Sequence, residues 1–300
     1  MSTSATVPNQ KSSISRAQAT PMSAQSYSFL QTYILRQSGI VLDEGKRYLV
    51  EARLLPLIRS DNIISLDALC QRLAANTSPA LNQRVIEAMT TNETLFFRDP
   101  GMFEALRTTV FPNLLASIKA NRKIRIWSAA SSTGQEAYSL AMLLLDLGVT
   151  GKQVEIVGTD LAESVLDKAR SGRYIQFEVS RGLPMKYLSR YFTKSGIDWE
   201  LSNEVLSMVR FQQLDLRASL HAMAACDLIL CRNVLIYFNI DTKRSILSAI
   251  RAKLAPGGLL VLGCAETVIG IDDSFERQVF GSATFYAARD VMTAEVNRAA

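Results

Sequence analysis

Histidine is nearly absent from this chain: His221 is the only one in 300 residues. That scarcity excludes three-histidine zinc sites and leaves a histidine general base a poor centrepiece for any chemistry. Cysteine is sparse as well. Cys70, Cys226, Cys231 and Cys264 form no C-x-x-C pair and are too few to staple a chain of this length, so they read as buried reduced thiols, and no metal site is expected. Reduced thiols point to the cytoplasm. No apolar run approaches the roughly eighteen residues of a membrane span. Lys11 and Arg16 are not followed by the apolar core of a secretory signal. No G-x-G-x-x-G is present, which disfavours a pyrophosphate-binding dinucleotide site.

What is present is ordinary for a folded protein, with 48% hydrophobic and 20% charged residues. The length predicts one large domain with an attachment, or two unequal domains. Lys and Arg outnumber Asp and Glu by 33 to 28, a net charge of +5 that raises the odds of an anionic partner without choosing between nucleic acid and an acidic protein surface.

Residues 1–25, rich in Ser, Thr, Ala and Gln, lack the apolar side chains to offset the entropy of folding and predict a disordered tail; 291–300 predict a second tail. From 26 to 91 apolar residues recur at spacings of three and four in YSFLQTYIL, RYLVEARLLPLI, LDALCQRLA and LNQRVIEAM, which predicts a small all-helical domain. Ser65 and Ser78 stand at helix N-caps, and Pro79 in a first turn. From 92 to 290 strands and helices alternate, the pattern of a parallel sheet covered on both faces. Asp99 and Pro100 read as the cap and first residue of a helix over FEALRTTVFPNLLASI. The strands are IRIWSAA, VEIVGTD, VRFQQLDL, CDLILC, LLVLG after a Pro256-Gly257-Gly258 turn, and ATFYAAR. A less regular stretch, 174–206, reads as an insertion with a hairpin around Lys194 to Ser202.

In such a sheet the ligand lies beyond the carboxyl ends of the strands. The first strand-end loop, SAASSTGQE, is small enough for close backbone approach. The second strand ends in Asp160, whose carboxylate suits the hydroxyls of a ribose and equally suits a helix cap. Asp215 and Leu216 follow the third strand, and Cys231, Arg232 and Asn233 the fourth. Taken singly, each also fits a structural role as loop cap, core residue or surface ion pair.

Three longer segments decide the reading. NETLFFRDP, WSAASSTGQEAYSLAM, and CRNVLIYF followed by LAPGGLLVLG closely resemble the chemotaxis receptor glutamate methyltransferases, the CheR family, over about 27–288. The resemblance implies a Rossmann-like α/β domain that binds S-adenosylmethionine (SAM), yields S-adenosylhomocysteine and methylates receptor glutamates for sensory adaptation. It places Asn92, Thr94 and Arg98 in a loop over the cofactor, Glu136 at the methionine moiety and Asp160 at the ribose. Asp215, where the family commonly has Asn, and Leu216 border the adenine. Cys231 and Arg232 complete the wall, and Tyr237 faces the transferring methyl beside Arg98. The resemblance further implies a basic helix that docks on the receptor's cytoplasmic helical bundle. Lys46, Arg47, Arg53 and Arg59 against the single acid Glu51 supply such a stretch, with Lys46 and Arg53 seven apart on one face. A monomer associated with receptor arrays is expected, with neither nucleic acid nor membrane insertion.

A glutamate with a pKa of about 4.3 is already ionised at neutral pH, so attack on a sulfonium methyl needs no base and the scarcity of histidine fits. Two other readings stand beside this one. A nucleic-acid methyltransferase would favour Asn or Asp with Pro-Pro-aromatic at the fourth strand end, where RNVLIYF stands. A non-catalytic SAM-binding regulator would not need Arg98 and Tyr237. Some family members grip a receptor C-terminal peptide on the inserted hairpin with a longer glycine-rich turn. TKSGIDWE has one glycine and predicts an enzyme that does not require that peptide.

Overall fold

The computed structural model describes residues 22–76, 78–117 and 122–289. The expected tails lie outside these except at 22–25, where the expectation is corrected. Met22 is buried, and the Ser23 hydroxyl caps the first helix by accepting from the Ser26 N–H at 3.1 Å.

Four helices come first: α1 (Ala24–Ser38), α2 (Arg47–Ser60), α3 (Leu66–Ala75) and α4 (Pro79–Met89). Ser65 and Ser78 cap α3 and α4 by accepting from Ala68 and Leu81 N–H, and Pro79 takes a position that needs no donor. Each helix gives an apolar stripe, such as Leu30 and Ile34 or Leu69 and Leu73, to a single core.

Next, α5 (Pro100–Ala105) passes through a π-turn at Leu106–Val110 into α6 (Phe111–Ser117). Asp99 and Pro100 take the predicted N-cap and first helical positions, but Asp99 does not cap with its side chain. Its backbone is left-handed (φ 64°), it makes no capping bond, and Arg232 has taken its carboxylate. The alternating region then runs β1 (Ile124–Ala129), α7 (Gln135–Asp146), β2 (Val154–Asp160) and α8 (Glu163–Ser171). The insertion holds β3 (Arg173–Ile175), α9 (Gln176–Val179), α10 (Met185–Tyr191), β4 (Phe192–Ser195), β5 (Asp198–Leu201) and α11 (Asn203–Leu206). The chain closes with β6 (Val209–Gln213), β7 (Cys226–Cys231), α12 (Ile240–Arg251), β8 (Leu254–Leu262), β9 (Phe275–Phe280) and β10 (Ala283–Ala288).

The main sheet has the order β6-β2-β1-β7-β8-β10-β9, parallel through β8, with β10 antiparallel to it and β9 on the edge. Strand alternation sorts the core. Ile126, Leu228, Leu230 and Val261 face α7, while Trp127, Ile229, Cys231 and Leu260 face α12. Pro256, Gly257 and Gly258 belong to β8 itself, in an irregularity opposite Cys226–Leu228, and the sequence shows no sign of β9, whose FERQVF mixes charge into an edge strand. The insertion forms its own sheet, β3-β5-β4, so the expected hairpin gains a third strand.

Candidate active site

The loops that follow β1, β2, β6 and β7 open on one cavity. The first of them is bent hard. Ala130 (φ 55°), Ser132 (φ 50°) and Gly134 (φ 90°) are all left-handed, a conformation that costs a non-glycine residue about 1 to 2 kcal/mol. At Gly134 a Cβ would lie 2.9 Å from Ala169 and 3.0 Å from Phe211, so α7 can start against α8 and β6 only from a glycine. The bends leave the Ser131 hydroxyl buried in the cavity wall with no hydrogen-bond partner among the described residues.

Asp160 ends β2 beside this loop. One carboxylate oxygen accepts from Ser132 N–H (2.9 Å) and the other from Ala162 N–H (3.0 Å), so it holds two loops while facing the cavity. It is buried, and burial raises its pKa despite the backbone donors. Deeper in, Arg232 joins two carboxylates. Its Nη1 donates to Glu136 (2.6 Å), and its Nη2 donates to Asp99 and to the Arg98 carbonyl (3.0 Å). Glu136 also accepts from the Ser128 hydroxyl at 2.7 Å. Burial works against the guanidinium charge, but Glu136 and Asp99 outweigh it and hold the Arg232 pKa above its usual value. One guanidinium between two carboxylates leaves a formal charge of −1, with Arg232 and Glu136 buried and Asp99 partly exposed, which a cation can offset.

The remaining walls come from both modules. Asn92, Thr94 and Arg98 line the cavity, and the Ser132 hydroxyl donates to the Asn92 carbonyl (2.7 Å), tying that loop to the first strand end. Tyr237 lies on a 3-10 turn, Leu235–Tyr237, and its carbonyl accepts from Val41 N–H at 2.9 Å. Among the described residues no carboxylate pairs with Arg98, and no side chain hydrogen-bonds the Tyr237 hydroxyl. Asp215 and Leu216 also line the cavity, but Arg217 grips both Asp215 oxygens and donates to the carbonyls of Arg36 (3.1 Å) and Gln37 (2.5 Å) at the end of α1.

Two expectations are corrected here. Cys231 does not complete the wall: it shares the α12 side of β7 with Ile229, is fully buried, and its thiol pKa is driven far up by desolvation. Nor do the four basic residues form one free face. Arg53 turns inward and donates to the Met89 carbonyl (2.6 Å) and the Thr91 hydroxyl (2.8 Å), while Lys46 lies before α2 and pairs with Asp43 at 3.2 Å. Arg47 pairs with Glu51 at 3.7 Å and its guanidinium lies over the Tyr27 ring; Arg59 is exposed. His221 is exposed on the loop before β7, away from the cavity. Asp99, Ser131, Arg217 and the helical-module residues Ser38 and Ile40 were not readable as site residues from sequence, since their roles depend on long-range packing. Glu266 could have been noticed, because it stands on the loop that follows β8.

The donor set fits SAM. Asp160 keeps acceptor capacity for ribose hydroxyls, the −1 cluster suits a cationic methionine moiety, and Ser131 has a hydroxyl still to satisfy. Among the described residues no group of His, Cys, Asp and Glu could hold a metal ion, and no helix is long and apolar enough to cross a membrane. Residues 92–283 match the family described as CheR methyltransferase, SAM binding domain, and residues 25–90 match its all-alpha domain. The chain is similar to chemotaxis protein methyltransferase 1 of Pseudomonas aeruginosa, 40% identical over 88% of this chain and 97% of that one. It is similar also to the chemotaxis protein methyltransferase Cher2 of Pseudomonas putida, 37% identical over 86% and 96% of the two chains. A third relative, chemotaxis protein methyltransferase 1 of Vibrio cholerae, is 38% identical over 86% and 94%. The fold and cavity are those of a SAM-binding methyltransferase domain joined to a helical module. The chain belongs to the CheR methyltransferase family.

Proposed function

We propose that this protein methylates glutamate side chains of chemoreceptor cytoplasmic domains, giving glutamyl methyl esters for sensory adaptation, and that it does so as a monomer at receptor arrays. The observation that carries the reading is a cavity where a buried acid at a strand end meets Arg98 and Tyr237, with no histidine in reach. When bound, SAM supplies a methyl on a sulfonium. The residues divide the remaining work. Asp160 holds the ribose and Glu136, kept in place by Ser128 and Arg232, faces the methionine end. Asp215 and Leu216 border the adenine, and Asn92 and Thr94 close over the cofactor. Arg98 and Tyr237, whose side-chain polar groups have no partner among the described residues, orient the incoming carboxylate. Charge is cancelled as carboxylate meets sulfonium, so a strong ion pair would hold back the ground state more than the transition state. Positioning, worth up to about 7 to 11 kcal/mol, is the protein's main contribution.

Radiolabelled SAM incubated with this protein and receptor-containing membranes tests the reading. Label is expected in base-labile protein esters. Label in nucleic acid, or binding without transfer, would refute it.

A further inference from the structure

Glu266 is outside the cavity, yet its carboxylate is saturated by the backbone of the loop that carries Tyr237. One oxygen accepts from Asn233 N–H (2.6 Å) and Gly263 N–H (2.8 Å), the other from Val234 N–H (2.9 Å) and Ile236 N–H (3.3 Å). The three loop donors are those that open the turn Leu235–Tyr237, where helix-like structure leaves N–H groups without backbone acceptors. Asn233 is left-handed (φ 58°), a conformation that persists only where its surroundings enforce it. The return from β8 to Glu266 is tight, with Glu266 N–H donating to the Gly263 carbonyl at 2.9 Å, and a Cβ at Gly263 would lie 2.7 Å from both Glu266 and Asn233. Among the described residues no cation pairs with Glu266; four amide dipoles alone compensate its charge.

We infer that Glu266 is a positioning residue for methyl transfer: it templates the 233–237 loop and so fixes Tyr237 against the reacting atoms. The inference rests on the methyltransferase reading above. The chemistry calls for a carboxylate. Four donors fill four lone-pair directions, and an amide of the same shape would turn its NH2 toward two of those N–H groups. Asp160 and the first strand-end loop lie on other strands and share no hydrogen bond with Glu266, so the ribose and methionine contacts are separable from the placing of Tyr237.

The test is steady-state methylation of receptor membranes by wild type, Glu266→Gln and Glu266→Asp, with S-adenosylhomocysteine affinity measured by calorimetry on the same samples. Expected is a loss in kcat of about 10- to 100-fold for Glu266→Gln, with the KM for SAM and the product affinity both within about threefold of wild type. Retained product affinity shows a folded pocket, a split that a merely structural role would not produce. Unchanged kcat would overturn the inference, and so would an equal fall in kcat and product affinity. An inactive wild type would sink the methyltransferase reading itself, whereas an active wild type with an unaffected Glu266→Gln would sink only this one.

Discussion

Asp160 holds two loops through its own oxygens while offering the same carboxylate to a ligand. Removing it should weaken both SAM and S-adenosylhomocysteine by about 1.5 to 3 kcal/mol, the range for hydrogen bonds to a charged group. Calorimetry checks this, and unchanged affinity would remove Asp160 from the site. Its pKa is raised by burial, so protons compete with the ligand sooner than at an ordinary aspartate. The sign follows: affinity is highest with Asp160 ionised and falls as pH drops through its raised pKa, while Asp160→Asn should lose that pH dependence. In the unliganded protein the same shift acts in reverse. The folded state binds that proton more readily than the unfolded chain, so this contribution to stability is present at acid pH and lost as pH rises through the folded pKa. Arg98→Ala and Tyr237→Phe should lower the single-turnover methylation rate more than receptor binding, because both line the cavity and neither belongs to the basic docking stretch; receptor titration beside rapid quench separates the two effects.

At the scale of elements, period and capping made much of the fold legible. The four helices, their Ser65 and Ser78 caps and the parallel strands follow from local spacing, and Asp160 and Arg232 from the rule that ligands sit beyond strand ends. What escaped was set by distant partners. Asp99 looks like a helix cap until Arg232, 133 positions away, claims it. Cys231 looks like a wall residue until strand parity turns it toward α12. Helix α2 shows the same limit, since charge on a helix does not say which cations are free. Arg53 is spent on the end of α4 and on Thr91, a cavity residue. Lys46→Glu should therefore weaken receptor docking alone, an effect that shrinks as salt screens surface charge beyond about 10 Å. Arg53→Glu should weaken SAM binding too, and equal effects of the two in a SAM titration would contradict the distinction. The β4–β5 hairpin turns on two residues, Gly196 and Ile197, with Gly196 at φ 62° and Ser195 paired to Asp198. So short a turn leaves no glycine-rich loop to wrap a strand. No binding of an isolated receptor C-terminal peptide is expected by calorimetry, while a receptor truncated of that peptide should still be methylated; low-micromolar binding would show the hairpin to be competent.

At the scale of the whole molecule, each module finishes a helix of the other. Glu87 at the end of α4 accepts from the Glu163 N–H (3.1 Å) and the Ser164 hydroxyl (2.6 Å) where α8 begins, and Arg217 donates to the carbonyls where α1 stops. Each charge is opposite in sign to the helix end it meets, the favourable arrangement. Arg217→Ala should cost about 1 to 3 kcal/mol in urea unfolding and should weaken SAM binding as well, because Asp215 and Ser38 both line the cavity. Loss of stability with full affinity would confine Arg217 to the fold.

The reciprocal caps bear on how such proteins can be recombined. A chimera that joins the helical half of one relative to the catalytic half of another severs no covalent element and would look harmless on a domain diagram. Here it would break a lock whose side-chain keys are divided, Glu87 on one half and Ser164 and Arg217 on the other. Receptor preference should therefore graft poorly when the helical half travels alone, and should graft with activity intact only when those three positions travel as a set.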